Sequence, residues 1–272
     1  MANAYDDFIP EIWSGQILEE LDKRLVLANV ANTSWAGEIR NVGDTVRILG
    51  VGSVTAAAYT NNSTSITYST PTDSSRSLVI DTDYYGAVQV DDAEQIQAVT
   101  DLLGRYAQRI AYALAKQVDT SIAGLYTETG LTKVTATASD DLYDKIVDAR
   151  KILEEADNEG PYWLAVSPAA AASLRKNTKF VSAEGEGQAF RQNGVLGRIA
   201  GFEVYESNNL VDVSGEDQCM FGTPLSIAHA RKLGNIESIR LETRFATGLR
   251  ARLIWGNKVL DSTRLGVLGY TA

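Results

Sequence analysis

Apolar residues recur every three or four positions over the long stretches of this chain and alternate every second position over several short ones. The pattern therefore mixes helices and strands. From Asp91 to Leu125, residues Ile96, Val99, Leu103, Tyr106, Ile110, Leu114, Val118, Ile122 and Leu125 keep to one helical stripe. Asp91 with Glu94 resembles a capping box, with Asp in place of Ser or Thr. At about 1.5 Å per residue such a helix would run ~50 Å, long enough to act as a spine. Ile9 to Leu27 reads as an amphipathic N-terminal helix with Pro10 in its first turn. A third helix is expected over 139–156, with Leu142, Ile146, Ala149 and Leu153 inward.

Strand signals fill the rest. Thr45–Leu49 and Ser77–Asp81 are short strands, and Tyr162–Val166 is a buried one. Ser167-Pro168 then opens a short helix to Lys176, with Ser as N-cap and Pro at the first helical position. Val181 to Gly194 has no periodicity and reads as a loop. Strand-turn units follow at 199–205, 219–221 and 225–228. A closing hairpin has Ile239, Leu241, Thr243 and Phe245, then Leu249, Ala251 and Leu253, as its inner face. Its outer face carries Arg240, Arg244, Arg250, Arg252 and Ile254, with Thr247-Gly248 as the turn. Strands and helices do not alternate as βαβ units, so the class is α+β.

One tract fits no core. In Ser53–Ser77, 15 of 25 residues are Ser, Thr or Asn, and only Asp73 and Arg76 are charged. Ile66 and Tyr68 alternate with Thr and Ser, and Asn61-Asn62 is a plausible turn, so the tract reads as an extended hairpin. Arms of about 12 residues at ~3.3 Å each would project ~40 Å. An isolated hairpin is marginally stable, so this one is expected to lean on a neighbour.

Charge and composition narrow the function. Net charge is −10, which opposes tight non-specific binding to nucleic acid. One Cys (Cys219) and one His (His229) exclude an intrachain disulfide and leave no thiolate or imidazole metal cage. No signal-peptide pattern and no membrane-spanning apolar run occurs. Gly50-Val-Gly52 and Gly185-Glu-Gly187 are fragments of nucleotide loops without the partner residues, so no cofactor is implied. Asp91/Asp92 and Asp140/Asp141 fall at expected helix starts, where capping explains them. His229, in Ala-His-Ala, reads as a strand-end histidine; a hydrolase using it is the alternative from another class, without a Gly-x-Ser-x-Gly elbow to support it. The Arg set is either a subunit contact, a phosphate-facing patch or a solvated sheet face. Phe8, Trp13 and Trp35 could anchor a partner.

In this order, the N-terminal helical arm, uncharged hairpin, spine helix and α/β region with Trp163-Leu-Ala-Val-Ser-Pro168 resemble the major capsid proteins of tailed bacteriophages, the Hong Kong ninety-seven fold. Leu196-Gly-Arg-Ile-Ala-Gly-Phe-Glu-Val-Tyr205 and Trp255-Gly-Asn-Lys-Val-Leu260 are similar to that family's strand-turn-strand segment and terminal sheet. The resemblance implies an N-terminal arm over 1–43, an extended loop over 44–84, and a peripheral domain with the spine helix over 85–130 and 231–272. It implies an axial domain over 131–230. It also implies self-assembly through pentamers and hexamers around a double-stranded DNA genome in a virion built in the host cytoplasm. The implied partners are other copies of the chain and possible scaffolding, portal and decoration proteins. Phe8, Trp13, Tyr59, Ile66, Tyr68 and the four arginines would then be intersubunit contacts.

Two departures from the family set expectations. The arm starts almost at Met1, so assembly is expected to use a separate scaffold unless the chain is already processed. An encapsulin-like shell around protein cargo, or a tail-tube protein, are the neighbouring alternatives. Some relatives weld subunits through a Lys on the extended loop, but no Lys occurs between Lys23 and Lys116. Particles boiled in detergent should therefore run as a single monomer band on a denaturing gel; a ladder of covalent multimers would refute this.

Overall fold

The computed structural model describes residues 25–35, 37, 41–50, 56–61, 66, 68, 74–91, 102–176, 197–234, 236–241, 243 and 245–272. In chain order, a one-turn helix α1 (Leu27–Val30) precedes strands β1 (Thr45–Gly50), β2 (Ser74–Val79) and β3 (Thr82–Asp91). The long helix α2 (Leu102–Ala123) follows, then β4 (Thr132–Thr137), α3 (Leu142–Glu155), β5 (Tyr162–Val166) and α4 (Pro168–Lys176). The remaining strands are β6 (Arg198–Ile199), β7 (Phe202–Glu206), β8 (Asp212–Val213), β9 (Glu216–Gly222), β10 (Ile227–Leu233), β11 (Glu237–Arg240), β12 (Ala246–Val259) and β13 (Leu265–Thr271).

Among the described residues the strands form three sheets. β1 and β2 form a two-stranded ribbon, with Thr45 opposite Val79 and Gly50 opposite Ser74. β12 is the axis of a four-stranded sheet, pairing with β3 on one side and with β10 and β11 on the other. β4, β13, β9, β5, β7 and β6, with β8 beside β9, make the seven-stranded sheet.

Periodicity explains the packing. Ala107, Ile110, Ala111, Leu114, Ala115, Val118 and Ile122 of α2 lie against Leu249, Ala251, Leu253 and Trp255 of β12. Burying one such side chain is worth about 1.5–3 kcal/mol, so this stripe is the main cement of the four-stranded sheet. In the other core, α3 (Leu142, Ile146, Ala149, Leu153) and α4 (Ala170, Ala171, Leu174) cover the seven-stranded sheet at Leu164, Phe202, Phe221 and Leu268. Ser167 caps α4, accepting from Ala170 N–H at 3.2 Å, and Asp141 caps α3, accepting from Tyr143 N–H at 3.1 Å. β5 is buried throughout, because Trp163 and Ala165 face the first core while Leu164 and Val166 face the second.

Several expectations change. The helix start expected at Asp91 is the last residue of β3, paired with Ala246. Tyr84, Gly86, Val88 and Val90 lie opposite Leu253, Ala251, Leu249 and Thr247, a period-two strand that was not among the expected elements. The closing hairpin does not turn at Thr247-Gly248: Gly248 lies in β12 opposite Ile239. That register sets Ile239 on the face of Arg250 and Arg252, and Arg240 with Thr247 on the other face. Ile239 and Phe245, expected inside, are exposed, Phe245 by 81%. Ile254, expected outside, is buried. β10 belongs to the four-stranded sheet and β13 lies inside the seven-stranded one. Residues 9–24 and 181–194 lie outside the described residues.

Two glycines of β12 test this packing. A Cβ on Gly256 would sit 2.1 Å from the Val79 carbonyl oxygen, where the ribbon crosses the sheet. On Gly248 it would meet nothing closer than 3.6 Å. Gly256→Ala should cost about 2 kcal/mol in chemical denaturation and Gly248→Ala less than about 0.5 kcal/mol; equal costs would contradict the close crossing.

Candidate functional site

The ribbon is rooted before it leaves the body. Val46, Leu78 and Ile80 pack with Ala228, Ala230 and Ile254 in a small separate core, with Trp35 and Ile48 beside it. Gly43 N–H donates to Ile80 O at 2.8 Å and Ile80 N–H to Asp44 O at 3.0 Å, closing the base. Beyond the ribbon, residues 56–61 are exposed, and Asn61 lies in a turn. Tyr59, Ile66 and Tyr68 are exposed, Tyr68 by 90%. Desolvating a surface with so few charges costs little.

The outer face of the four-stranded sheet is the second surface. Tyr85, 78% exposed, lies opposite Arg252, and Ala87 lies opposite Arg250. These residues, with Gly234 and Glu237, line a depression of about 640 Å³. Arg250 Nε donates to Glu237 Oε2 at 2.8 Å, and Arg252 Nε to the two Asp83 oxygens at 2.8 and 3.1 Å. The hydrogen bond from Arg252 holds the Asp83 carboxyl below its ordinary range. Both guanidiniums are thus neutralised within the sheet. The structure brings Arg250 and Arg252 together but puts Arg240 on the other face. Arg244, Phe8 and Trp13 lie outside the described residues.

The third element is the root of the N-terminal segment, and sequence patterns did not reveal it. Asp119 is fully buried on α2. Its Oδ2 accepts from Val26 N–H at 3.0 Å, and Oδ1 accepts from Leu27 and Ala28 N–H at 3.1 and 3.3 Å. Burial pushes this carboxyl above its usual pKa, and the backbone donors work against that shift. The apolar spacing gave no advance signal, because Asp119 falls outside the stripe of Ile110, Leu114, Val118 and Ile122. Asn32 continues the stitching, donating N–H to Ile227 O at 2.8 Å and accepting from His229 N–H at 2.9 Å.

His229 lies within β10, not at its end, and is fully buried. Nδ1 is 2.6 Å from Asn257 Oδ1, while Asn257 Nδ2 donates to Ser121 Oγ at 2.9 Å. The carbonyl acceptor fixes the proton on Nδ1. No substrate reaches this ring, so the hydrolase reading has no accessible base. Cys219 is also buried, its thiol pushed up to about 11 mainly by desolvation. Among the described residues no acid, His or Cys cluster could hold a metal, and no helix is long and apolar enough to cross a membrane.

Burial drives the His229 pKa down to about 4, against an ordinary value near 6.5. The unfolded chain then binds a proton that the folded chain refuses, so stability is full above about pH 6.5 and falls as pH drops toward 4. The contribution is about 3 kcal/mol across that window. His229→Gln should lose less stability than the wild type between pH 7 and pH 4, by about that amount in denaturant melts. Parallel losses would show that the ring titrates normally.

Known proteins match this architecture. A family model described as phage capsid protein matches residues 75–265, well over half of the chain. A solved structure from Mycobacterium phage Che8 is 27% identical, with a TM-score of 0.75 over 90% of each chain. The capsid of cyanophage P-SCSP1u is 16% identical, with a TM-score of 0.71 over 91% of this chain and 88% of that one. A virus-like particle from Pyrococcus furiosus is 14% identical, with a TM-score of 0.61 over 93% of this chain and 96% of that one, a likeness of fold. No curated protein sequence matches the chain. With a spine helix, a rooted arm and a two-core α+β body agreeing with the match, the chain belongs to the phage capsid protein family and has the Hong Kong ninety-seven fold.

Proposed function

We propose that the chain is the major coat subunit of a tailed phage, closing through pentamers and hexamers into an icosahedral shell around double-stranded DNA. The observation that carries this reading is a rooted ribbon followed by a tract that is almost uncharged in sequence and whose described residues, 56–61, 66 and 68, are exposed. Tyr59, Ile66 and Tyr68 have no partner surface within their own subunit's core clusters. A neighbour's surface would cover them by strand pairing and apolar contact. The face around Tyr85, Arg250 and Arg252 suits that role, since its charges are already paired and need no new counter-ion. We further assign Phe8, Trp13, Arg240 and Arg244 to subunit contacts. A stable lattice contact needs above ~1,000 Å².

Residues 1–43 then act as the N-terminal arm and 44–84 as the extended loop. The sheets favour ending the axial domain near Thr223, letting 227–259 join 85–130 as the peripheral domain, and returning β13 to the axial sheet. The shell assembles in the host cytoplasm, with scaffolding, portal and decoration proteins as further partners. It needs no cofactor, membrane or catalytic group for this role. The phage capsid family match favours a genome over the protein cargo of an encapsulin.

Amide exchange tests the clasp. Residues 53–77 should exchange freely in dissociated subunits and become protected in shells seen by electron microscopy. Equal exchange in both states would overturn the clasp, and stacked tubes in place of shells would overturn the coat reading.

A further inference from the structure

Opposite its apolar stripe, α2 carries a second line of side chains. Arg105, Gln108, Arg109, Tyr112 and Lys116 are all exposed. Their spacings of three and four stack them along one side of the helix. Arg105 and Arg109 are about 6 Å apart along the axis, and Arg105 and Lys116 about 16 Å. The first four border a shallow depression of about 480 Å³. The helix has one acid, Asp119, and that carboxylate is buried under the N–H groups of Val26, Leu27 and Ala28.

Among the described residues, Arg105, Arg109 and Lys116 have no ion-pair partner. They differ in this from Arg175 (with Glu206), Arg198 (with Glu203), Arg250, Arg252, Lys133 (with Glu216) and Lys258 (with Glu128), which are all paired. A chain of net charge −10 has acids to spare, yet this row is left without any. A row of free cations is complementary to a polyanion from outside the subunit. Phosphates suit the side chains present: Arg meets them bidentately, Lys as a point charge, and Gln and Tyr donate to backbone oxygens.

We propose that this face of α2 is a sequence-independent contact for the phosphate backbone of duplex DNA on the inner side of the shell. The proposal rests on the coat reading for the shell and the DNA within it, and the cation row itself assigns this side of α2 to the interior. Because α2 packs on one face of the four-stranded sheet and Arg250 and Arg252 lie on the other, it also turns the paired-arginine face outward. Three cations per subunit give weak single contacts that a lattice of copies multiplies. Such binding retains DNA without contradicting an acidic chain, because only this row is aimed at it.

The test uses the full-length chain, a fluorescently labelled 20-base-pair duplex and anisotropy titrations between about 20 and 200 mM salt. Neutralising three phosphates gives a slope of log affinity against log salt of about −2.7, or about 40-fold weakening from 50 to 200 mM. The triple variant Arg105→Gln, Arg109→Gln, Lys116→Gln should bind at least about ten-fold more weakly at 50 mM and lose most of the slope. An equal charge change at Lys145, Lys151 and Lys176 should leave binding as in the wild type. A triple variant that binds as tightly as the wild type, or a control that loses as much, overturns the proposal. Labelled polyglutamate binding more tightly than DNA also overturns it, by naming an acidic polypeptide as the occupant. The variant should still form shells. If it folds by circular dichroism but forms none, the row is a subunit contact and the proposal fails while the coat reading stands. If the wild type itself forms no shells, the coat reading fails while the DNA titration is still read separately.

Discussion

Strand β12 must satisfy three surfaces at once, and the rest of the subunit is arranged around that demand. Leu249, Ala251, Leu253 and Trp255 bind it to the spine helix. Ile254 and Gly256 receive the ribbon on the opposite side, where the Val79 carbonyl comes so close that no Cβ fits. Arg250 and Arg252, on that same side but beyond the ribbon, stay in solvent and are tied to Glu237 and Asp83. One strand thus sets the positions of spine, arm root and outer face relative to each other. For a lattice protein this coupling has a purpose: an arm that must reach a neighbour is useful only if its base is stiff, because angular error at the root grows along its length.

The N-terminal segment is fixed by a different device. A buried carboxylate is costly unless it is well supplied with hydrogen bonds. Asp119 takes three backbone donors from Val26 to Ala28, and those donors belong to a one-turn helix whose first N–H groups would otherwise lack partners. Each partner removes the other's deficit, so Val26 to Ala28 are held at a defined point on α2. Asn32, bonded to Ile227 and to the His229 N–H, ties the same stretch to β10. Residues 26–32 and the base of the ribbon are therefore both anchored around α2, β10 and β12.

Much of this was legible from residue order because burial here follows simple periods. The inward stripe of α2 from Ala107 to Ile122, the four apolar positions of α3, the Ser167 cap and the fully buried β5 all follow from side-chain spacing. The errors share a cause as well. At Asp91 a capping-box pattern placed a helix start on the last residue of β3, and the alternation of Tyr84, Gly86, Val88 and Val90 before it was not read as a strand. In the hairpin, shifting the turn by a few residues changed which residues face each other, which sent Ile239 outward and separated Arg240 from Arg250 and Arg252. Pairing across strands is non-local, so alternation within one strand does not fix it. Asp119 was hidden for the same reason, since its partners are more than 90 residues away in the chain.

Charge needs the same distinction between total and placement. A net charge of −10 describes the whole chain and argues against nucleic-acid binding only if the charge is spread evenly. It is not. On the outer sheet face, where arginines are most evident in the sequence, each guanidinium of the Arg250 and Arg252 pair is met by a carboxylate of a neighbouring strand. On the spine helix, where the stronger apolar stripe hides the cations in the sequence, Arg105, Arg109 and Lys116 have no ion-pair partner among the described residues. The conspicuous arginines are thus the ones least available to an anion. What decides availability is pairing across the fold, and a shell subunit that is acidic overall can still present one cationic side toward what it encloses.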